Sequence, residues 1–294
     1  MQTENGLKMK VLITGKNGQL GYELRGTAPE GVVVYAYDSS ELDIANESDV
    51  KTLVKEIQPQ VIINAAAYTA VDKAETDEKT AFDVNALGAQ YLAEAASDVG
   101  ARLIHISTDF VFDATKNTWY APEDKTNPLG VYGASKLAGE ENVVKGLPSA
   151  TIIRTSWVYS SHGNNFVKTM LKLMAERDEL SIVADQIGTP TWAKGLAKIC
   201  WMVAEKGSIE NLYHWSDLGT ASWYDFAVAI QEIGLELGLL SKEIPVKPIR
   251  ASQYPTPAKR PVYSVMDTTK IREEFAAEGL HWRKALKEMM QELV

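Results

Sequence analysis

A chain of 294 residues, 45% hydrophobic and 23% charged, is long enough to bury one large core or two, and its composition excludes disordered, collagenous and disulfide-stapled classes. A formal net charge of −9 argues against nucleic acid and anionic membrane surfaces as partners, because phosphate-bearing surfaces are held by basic protein faces. The single cysteine, Cys200, sits in an apolar helical pattern and points to a reducing, cytoplasmic setting; no signal peptide is visible, and no apolar run reaches the roughly 18 residues that span a bilayer.

Residues 1–8 are expected to be a polar extension, since Met9 stands directly before the first strand. Val11, Leu12, Ile13 and Thr14 read as a strand buried on both faces, turned by Gly15, Gly18 and Gly21 into a helix over residues 19–25. This is the order of a nucleotide-binding βαβ unit. Gly15 and Gly18 are expected to bend with positive φ and approach a pyrophosphate, and Gly21 to let the helix pack on the strand. The helix N-terminus would hold the phosphates through its free N–H groups. A second strand, 32–37, ends at Asp38, about where such units place an acid on the adenosine ribose; a turn or a helix cap uses aspartate equally well.

Helical spacing over 48–57 stops at Pro59, and 61–64 is a third buried strand leading into Ala65, Ala66 and Ala67. Small side chains there let a flat ring lie against the backbone, or a helix pack closely. One long amphipathic helix is expected over 79–99, after which a strand over 102–106 delivers Ser107, Thr108 and Asp109 to its C-terminal end. Alternating strands and helices imply a parallel sheet with right-handed crossovers and ligands beyond the carboxyl ends of its strands. Gly15, Asp38, Ala65 and Thr108 all fall at that edge.

Residues 114–130, with Pro122 and Pro128, read as a loop over the site, and Val131 to Lys136 open the next helix. A strand over 150–155 leads into Ser156, Trp157, Val158 and Tyr159. Helices follow over 165–177, 192–206 and 222–239, short strands over 181–183 and 212–214, and a Pro-rich stretch over 254–261. The expected architecture is α/β: a Rossmann-type doubly wound parallel sheet in a dinucleotide-binding domain over 1–160, completed by later segments. A smaller, mostly helical substrate lobe over 161–294 interleaves with it.

Tyr132 and Lys136, four residues apart on a helix, face the same side. A phenol near pKa 10 is sluggish at neutral pH, and a neighbouring ammonium is expected to lower it toward a useful range. Thr108, a hydroxyl at a strand end, is placed to hold a substrate oxygen. Tyr and Lys at this spacing occur on many helices; what gives this pair weight is its order after a nucleotide-binding unit and a hydroxyl-bearing strand end.

The segments TGKNGQLGYEL, NAAAYTAVDKAE, STDFVFD, VYGASKLAGE, RTSWVYSSHGNNFVKTML, DQIGTPTWA and YPTPAKRP lie within residues 14–261. They resemble the extended short-chain dehydrogenase/reductase family, the last four its branch acting on 4-keto nucleotide sugars. The resemblance implies reduction of the 4-keto group of dTDP-4-dehydro-β-L-rhamnose to dTDP-L-rhamnose with NADPH or NADH. In that reaction Tyr132 protonates the developing alkoxide, Lys136 tunes the phenol and holds the ribose, and Thr108 bonds the same oxygen. Coenzyme contacts are implied at Gly15, Asn17, Gly18, Gln19, Leu20, Asp38, Asp43, Ile44, Ala66, Ala67, Tyr68 and Thr69, besides Tyr132 and Lys136. Sugar contacts are implied at Thr108, Asp109, Tyr132 and Trp157, and diphosphate contacts at Asn165 and Arg260, the latter equally suited to solvent.

Coenzyme choice is left open, because Asp38 repels a 2′-phosphate whereas Lys16, Ser39 and Ser40 suit one. Some members of the family bind Mg²⁺ between subunits through an acid after the glycine motif and another after a Pro-Thr pair. Glu23 fits the first place, but Lys194 holds the second, and an ammonium repels a hard cation, so no metal is expected. A sugar-nucleotide dehydratase would carry Asp-Glu after the threonine, where this chain has Asp109-Phe110. A non-catalytic subunit of the same fold is disfavoured by Thr108, Tyr132 and Lys136 together. The expected assembly is a monomer or homodimer acting on a nucleotide sugar.

Overall fold

The computed structural model of the protein describes residues 8–294, so the extension expected over 1–8 lies, except for Lys8, outside the described residues. The chain runs β1 (Met9–Thr14), α1 (Gln19–Gly26), β2 (Val32–Tyr37), α2 (Glu47–Ile57), β3 (Val61–Asn64), α3 (Val71–Ala74) and α4 (Glu78–Phe82). A π-helical turn over Asp83–Leu87 joins α4 to α5 (Gly88–Val99), followed by β4 (Arg102–Thr108), α6 (Val131–Gly146) and β5 (Thr151–Thr155). The second half adds β6 (Val158–Tyr159), α7 (Phe166–Glu176), β7 (Leu180–Val183), β8 (Ile187–Gly188), β9 (Thr191–Trp192) and α8 (Ala193–Lys206). It ends with β10 (Leu212–His214), β11 (Ala221–Ser222), α9 (Trp223–Glu236), β12 (Val246–Ile249), α10 (Thr269–Phe275) and α11 (Trp282–Gln291).

Six strands form one parallel sheet in the order β10-β5-β4-β3-β1-β2. Successive residues of a strand point to opposite faces, and here both faces are covered. Val11 and Ile13 enter a core with Leu24 of α1 and Ala197 and Cys200 of α8, while Leu12 enters another with Val54 of α2, Leu92 of α5 and Val143 of α6. That double burial is why β1 and β3 are apolar without alternation. Three segments from the second half, α8, β10 and α10, thus belong to the sheet layers. A third core gathers Val167 and Met170 of α7, Phe226 and Ile230 of α9, and Trp282 and Met289 of α11. Paired two-stranded ribbons (β6 with β9, β7 with β12, β8 with β11) lie beside this largely helical part.

Three local expectations need correction. The helix expected over 79–99 is broken by the π turn, which brings Asn85 inward, fully buried. Gly18 has φ −73°, an ordinary extended value, so Gly15 at φ +73° alone makes the left-handed bend. Residues 114–130 do not cover the cleft, because Tyr120 bridges to Met266 and buries its ring on Phe112, drawing the loop to the flank of the sheet.

Candidate functional site

A cleft of about 860 Å³ opens at the carboxyl edge of the sheet. Its coenzyme end is shaped by absent side chains. A Cβ on Gly15 would stand 2.8 Å from the Ala65 carbonyl oxygen and the Ala66 backbone, and one on Gly21 would stand 2.2 Å from the Gly15 carbonyl oxygen. The third glycine therefore admits the helix to the turn itself, more than to the strand. At α1 no side chain caps the N-terminus and the first turn carries no acid, leaving its leading N–H groups open to an anion. Such a cradle fits the pyrophosphate of a dinucleotide.

Asp38 at the end of β2 accepts from Asn17 Nδ2 at 2.6 Å and from the Ser40 hydroxyl at 2.6 Å and backbone N–H at 2.9 Å. Those Ser40 bonds, with Lys16 Nζ 3.7 Å away, hold its carboxyl below the usual range. Lys16 also pairs with Glu41. Asp43 accepts from Ala45 N at 3.0 Å, shaping the turn that presents Ile44. Tyr68 is clamped by its backbone: its N–H donates to Asn85 Oδ1 at 2.8 Å, and its carbonyl accepts from Asn85 Nδ2 at 3.1 Å. Asn85 also donates to Ser135 of α6 at 3.0 Å, so the π turn ties the coenzyme wall to the helix bearing Tyr132 and Lys136.

Thr108 ends β4 and lines the cleft with Tyr132, whose ring meets Phe110 edge-on at 5.5 Å. Burial pushes Tyr132 up to about 12, the Thr108 hydroxyl opposing and nearby Asp109 adding to the rise. The expected lowering by Lys136 is not found. Lys136 Nζ donates to the Ile106 carbonyl at 2.7 Å, and burial brings its own pKa down to about 8 against the pull of Glu140. Beneath it, Arg154 grips Glu140 with two bonds of 2.9 and 2.6 Å, nearly dry, and also donates to Pro122 O at 3.1 Å. Asp109 is buried; one oxygen accepts from Thr108 at 3.1 Å and the other has no partner. Desolvation raises it to about 6.

Toward the other end, Trp157 follows β5 and lines the cleft with Trp223 and Arg260. Arg260 donates to Asp72 Oδ2 at 2.7 Å, and Ala258 N to Asp72 Oδ1 at 3.2 Å, which pins the Pro-rich stretch beside α3. Trp157 has φ +45°, a conformation that costs a bulky residue about 1–3 kcal/mol.

The cleft brings together Gly15, Asn17, Gly18, Gln19, Leu20, Asp38, Asp43, Ile44, Ala66, Ala67, Tyr68 and Thr69. Thr108, Asp109, Tyr132, Lys136, Trp157 and Arg260 line it too. Asn165 does not. Its carboxamide caps α7 through Lys168 N at 3.1 Å and donates to Gln19 Oε1 at 3.0 Å and Ser160 O at 2.7 Å, leaving Asn164 to face the cleft. Sequence reasoning also missed Trp223, Gly163 and the buried Asn85. A capping box, Ser222 with Asp225, marks where Trp223 starts a helix, but no local signal pairs it with Trp157. Where the resemblance puts Mg²⁺, Glu23 accepts from the Ser160 hydroxyl at 2.6 Å and Lys194 Nζ bonds Glu292 at 2.7 Å. An ammonium already meets that carboxylate, so these residues do not fit a hard divalent cation, and among the described residues no cluster of ligating side chains forms elsewhere.

A family model described as RmlD substrate binding domain matches residues 9–294. A dTDP-4-dehydrorhamnose reductase from Aggregatibacter actinomycetemcomitans is 44% identical over 285 residues, 95% of this chain and 97% of that protein. Among solved structures, a dTDP-4-dehydrorhamnose reductase from Clostridium acetobutylicum superposes with a TM-score of 0.92 at 40% identity, covering 97% of this chain and 99% of the other. One from Bacillus anthracis, in complex with NADP, gives 0.92 at 39% identity over 97% of this chain and 99% of the other.

Proposed function

This chain belongs to the dTDP-4-dehydrorhamnose reductase family, and from that membership we propose that it reduces the 4-keto group of dTDP-4-dehydro-β-L-rhamnose, giving dTDP-L-rhamnose. Held by the residues of the glycine turn, NADPH or NADH would supply the hydride. Thr108 and Tyr132 hold the keto oxygen between their hydroxyls. Tyr132 then gives its proton to that oxygen as charge grows on it; an alkoxide is a stronger base than a phenolate, so the transfer runs downhill even from a phenol raised to about 12. Lys136, cationic below about pH 8, stabilises the phenolate left behind and bonds the coenzyme ribose. Asp109 accepts from a sugar hydroxyl, Trp157 walls the sugar, and Arg260 meets the diphosphate.

The observation that carries this reading is the meeting of Thr108, Tyr132 and Lys136 in one cleft with an uncapped helix N-terminus behind a glycine turn. The Asp38 carboxylate suits the ribose hydroxyls of NADH, and Lys16 and Ser39 suit the 2′-phosphate of NADPH. We take the chain up to residue 160, with α8, β10 and α10 completing its sheet layers, as the coenzyme domain and the rest of 161–294 as the substrate lobe interleaved with it, in a monomer or homodimer that sedimentation distinguishes. The buried, unpaired Cys200 thiol suits a reducing cytoplasm. Absorbance of NADPH or NADH tests the activity: dTDP-4-dehydrorhamnose should discharge it faster than other keto-sugar nucleotides. No turnover with that substrate and either coenzyme would overturn the reading.

A further inference from the structure

Trp157 is held in its left-handed backbone by contacts from three directions. Its carbonyl accepts from Thr191 N at 3.2 Å. Its indole stacks on Trp223, centroids 3.6 Å apart and planes 8° from parallel. Gly188 approaches so closely that a Cβ there would stand 2.6 Å from the indole Cε2. Strained residues persist where their surroundings over-determine them, and they gather at functional sites. Trp223 is itself anchored: it opens α9 behind the Ser222–Asp225 capping box, and the Phe166 ring packs on it at 4.8 Å.

The position of this stack gives it chemical meaning. Thr155, two residues before Trp157, pairs in register with Thr108, and both indoles line the same cleft as the Thr108 and Tyr132 hydroxyls. We propose that Trp223 is a positioning residue that fixes the Trp157 indole as an apolar wall, and that this wall selects sugars bearing a methyl rather than a hydroxymethyl on the carbon next to the keto group. This rests on the 4-keto sugar reduction proposed above. A methyl group gives up nothing against the carbon faces of the indoles, whereas a hydroxymethyl laid on those faces is stripped of water and meets ring carbon in its place. Apolar walls reject an added hydroxyl only moderately, by roughly 10–10²-fold.

The test compares wild type with Trp223→Ala and Trp223→Phe, using dTDP-4-dehydrorhamnose and its 6-hydroxylated counterpart. Steady-state kinetics, coenzyme Kd, thermal midpoint and the far-ultraviolet circular-dichroism couplet of stacked indoles are read together. Wild type should prefer the deoxy sugar by roughly 10–10²-fold. In Trp223→Ala the couplet should vanish, KM for the deoxy sugar should rise about tenfold, the preference should fall to a few-fold and coenzyme Kd should hold. Trp223→Phe, which keeps a ring on the indole, should restore most of the preference. A wild type inactive on the deoxy sugar would defeat the proposed reaction itself. An active wild type whose preference survives in Trp223→Ala, or coenzyme affinity lost in step with sugar affinity, would overturn the role given to Trp223.

Discussion

The two ends of the cleft are built by different means. At the coenzyme end, Gly15, Gly18 and Gly21 lie within one strand-turn-helix unit, and parallel register brings Thr14, Tyr37 and Asn64 to a common level. At the sugar end, Trp157, Gly188, Trp223 and Arg260 come from four separated segments, gathered by two-residue strand pairings, an ion pair and ring stacking rather than by one contiguous unit. The first end is fixed by backbone geometry that leaves no room for a Cβ; the second by side-chain contacts that can be altered at the expense of specificity before folding. Changes at the first end or in the core beneath it should therefore register as stability and coenzyme affinity, and changes at the second as substrate choice.

The largest effect expected from that contrast is at the buried pair under Lys136. Arg154→Met strands Glu140 in a dry environment and should cost about 3–5 kcal/mol in denaturant unfolding; a loss under 1 kcal/mol would mean that water reaches the pair. Gly21→Ala forces a methyl onto the Gly15 carbonyl and should cost about 1–3 kcal/mol while weakening coenzyme binding in titration calorimetry. Unchanged coenzyme affinity would break the claim that the turn is shaped by absent side chains.

Asp109 lies between the two ends and should reverse the sign. Its pKa is raised to about 6 in the native state, so the folded protein keeps its proton longer than the unfolded chain and loses stability as pH rises from about 4 to 6. Asp109→Asn should thus be stabilising by roughly 3 kcal/mol at pH 8 and neutral near pH 3, while sugar KM rises. Equal stability of the two proteins at pH 8 would show that the carboxylate is well solvated. The smallest effect belongs to Arg260, whose part-exposed pair with Asp72 is worth less than about 1 kcal/mol. Arg260→Met should leave the thermal midpoint nearly unchanged and raise KM for the nucleotide sugar several-fold without moving coenzyme Kd.

The same contrast explains what was legible in the amino-acid order. Doubly buried strands announce themselves as apolar runs, and their common direction places Gly15, Asp38, Ala65 and Thr108 at one edge before any coordinates are known. A π turn hardly disturbs an amphipathic pattern, since Val84, Ala89 and Leu92 still read as one face; the buried Asn85 was therefore invisible. Asn164 and Asn165 are adjacent and chemically identical, and only the start of α7 decides which caps the helix and which faces the cleft. The lowered phenol expected of Tyr132 is not found, because a spacing of four residues fixes a helix face but says nothing of burial, which raises the phenol with no opposing pull from Lys136. Trp223 was beyond reach for a simpler reason: its partner lies in another lobe segment, and tryptophans carry no sequence mark of which other ring they will stack upon.

The central claim is that one phenol protonates the sugar oxygen while Thr108 and Lys136 keep it aligned. Single-turnover mixing of coenzyme-loaded wild type and Tyr132→Phe with dTDP-4-dehydrorhamnose, followed by loss of reduced-coenzyme absorbance, addresses it directly. The variant should react about 10²-fold slower or more with coenzyme and sugar affinities intact; matching rates in the two proteins would contradict the assignment.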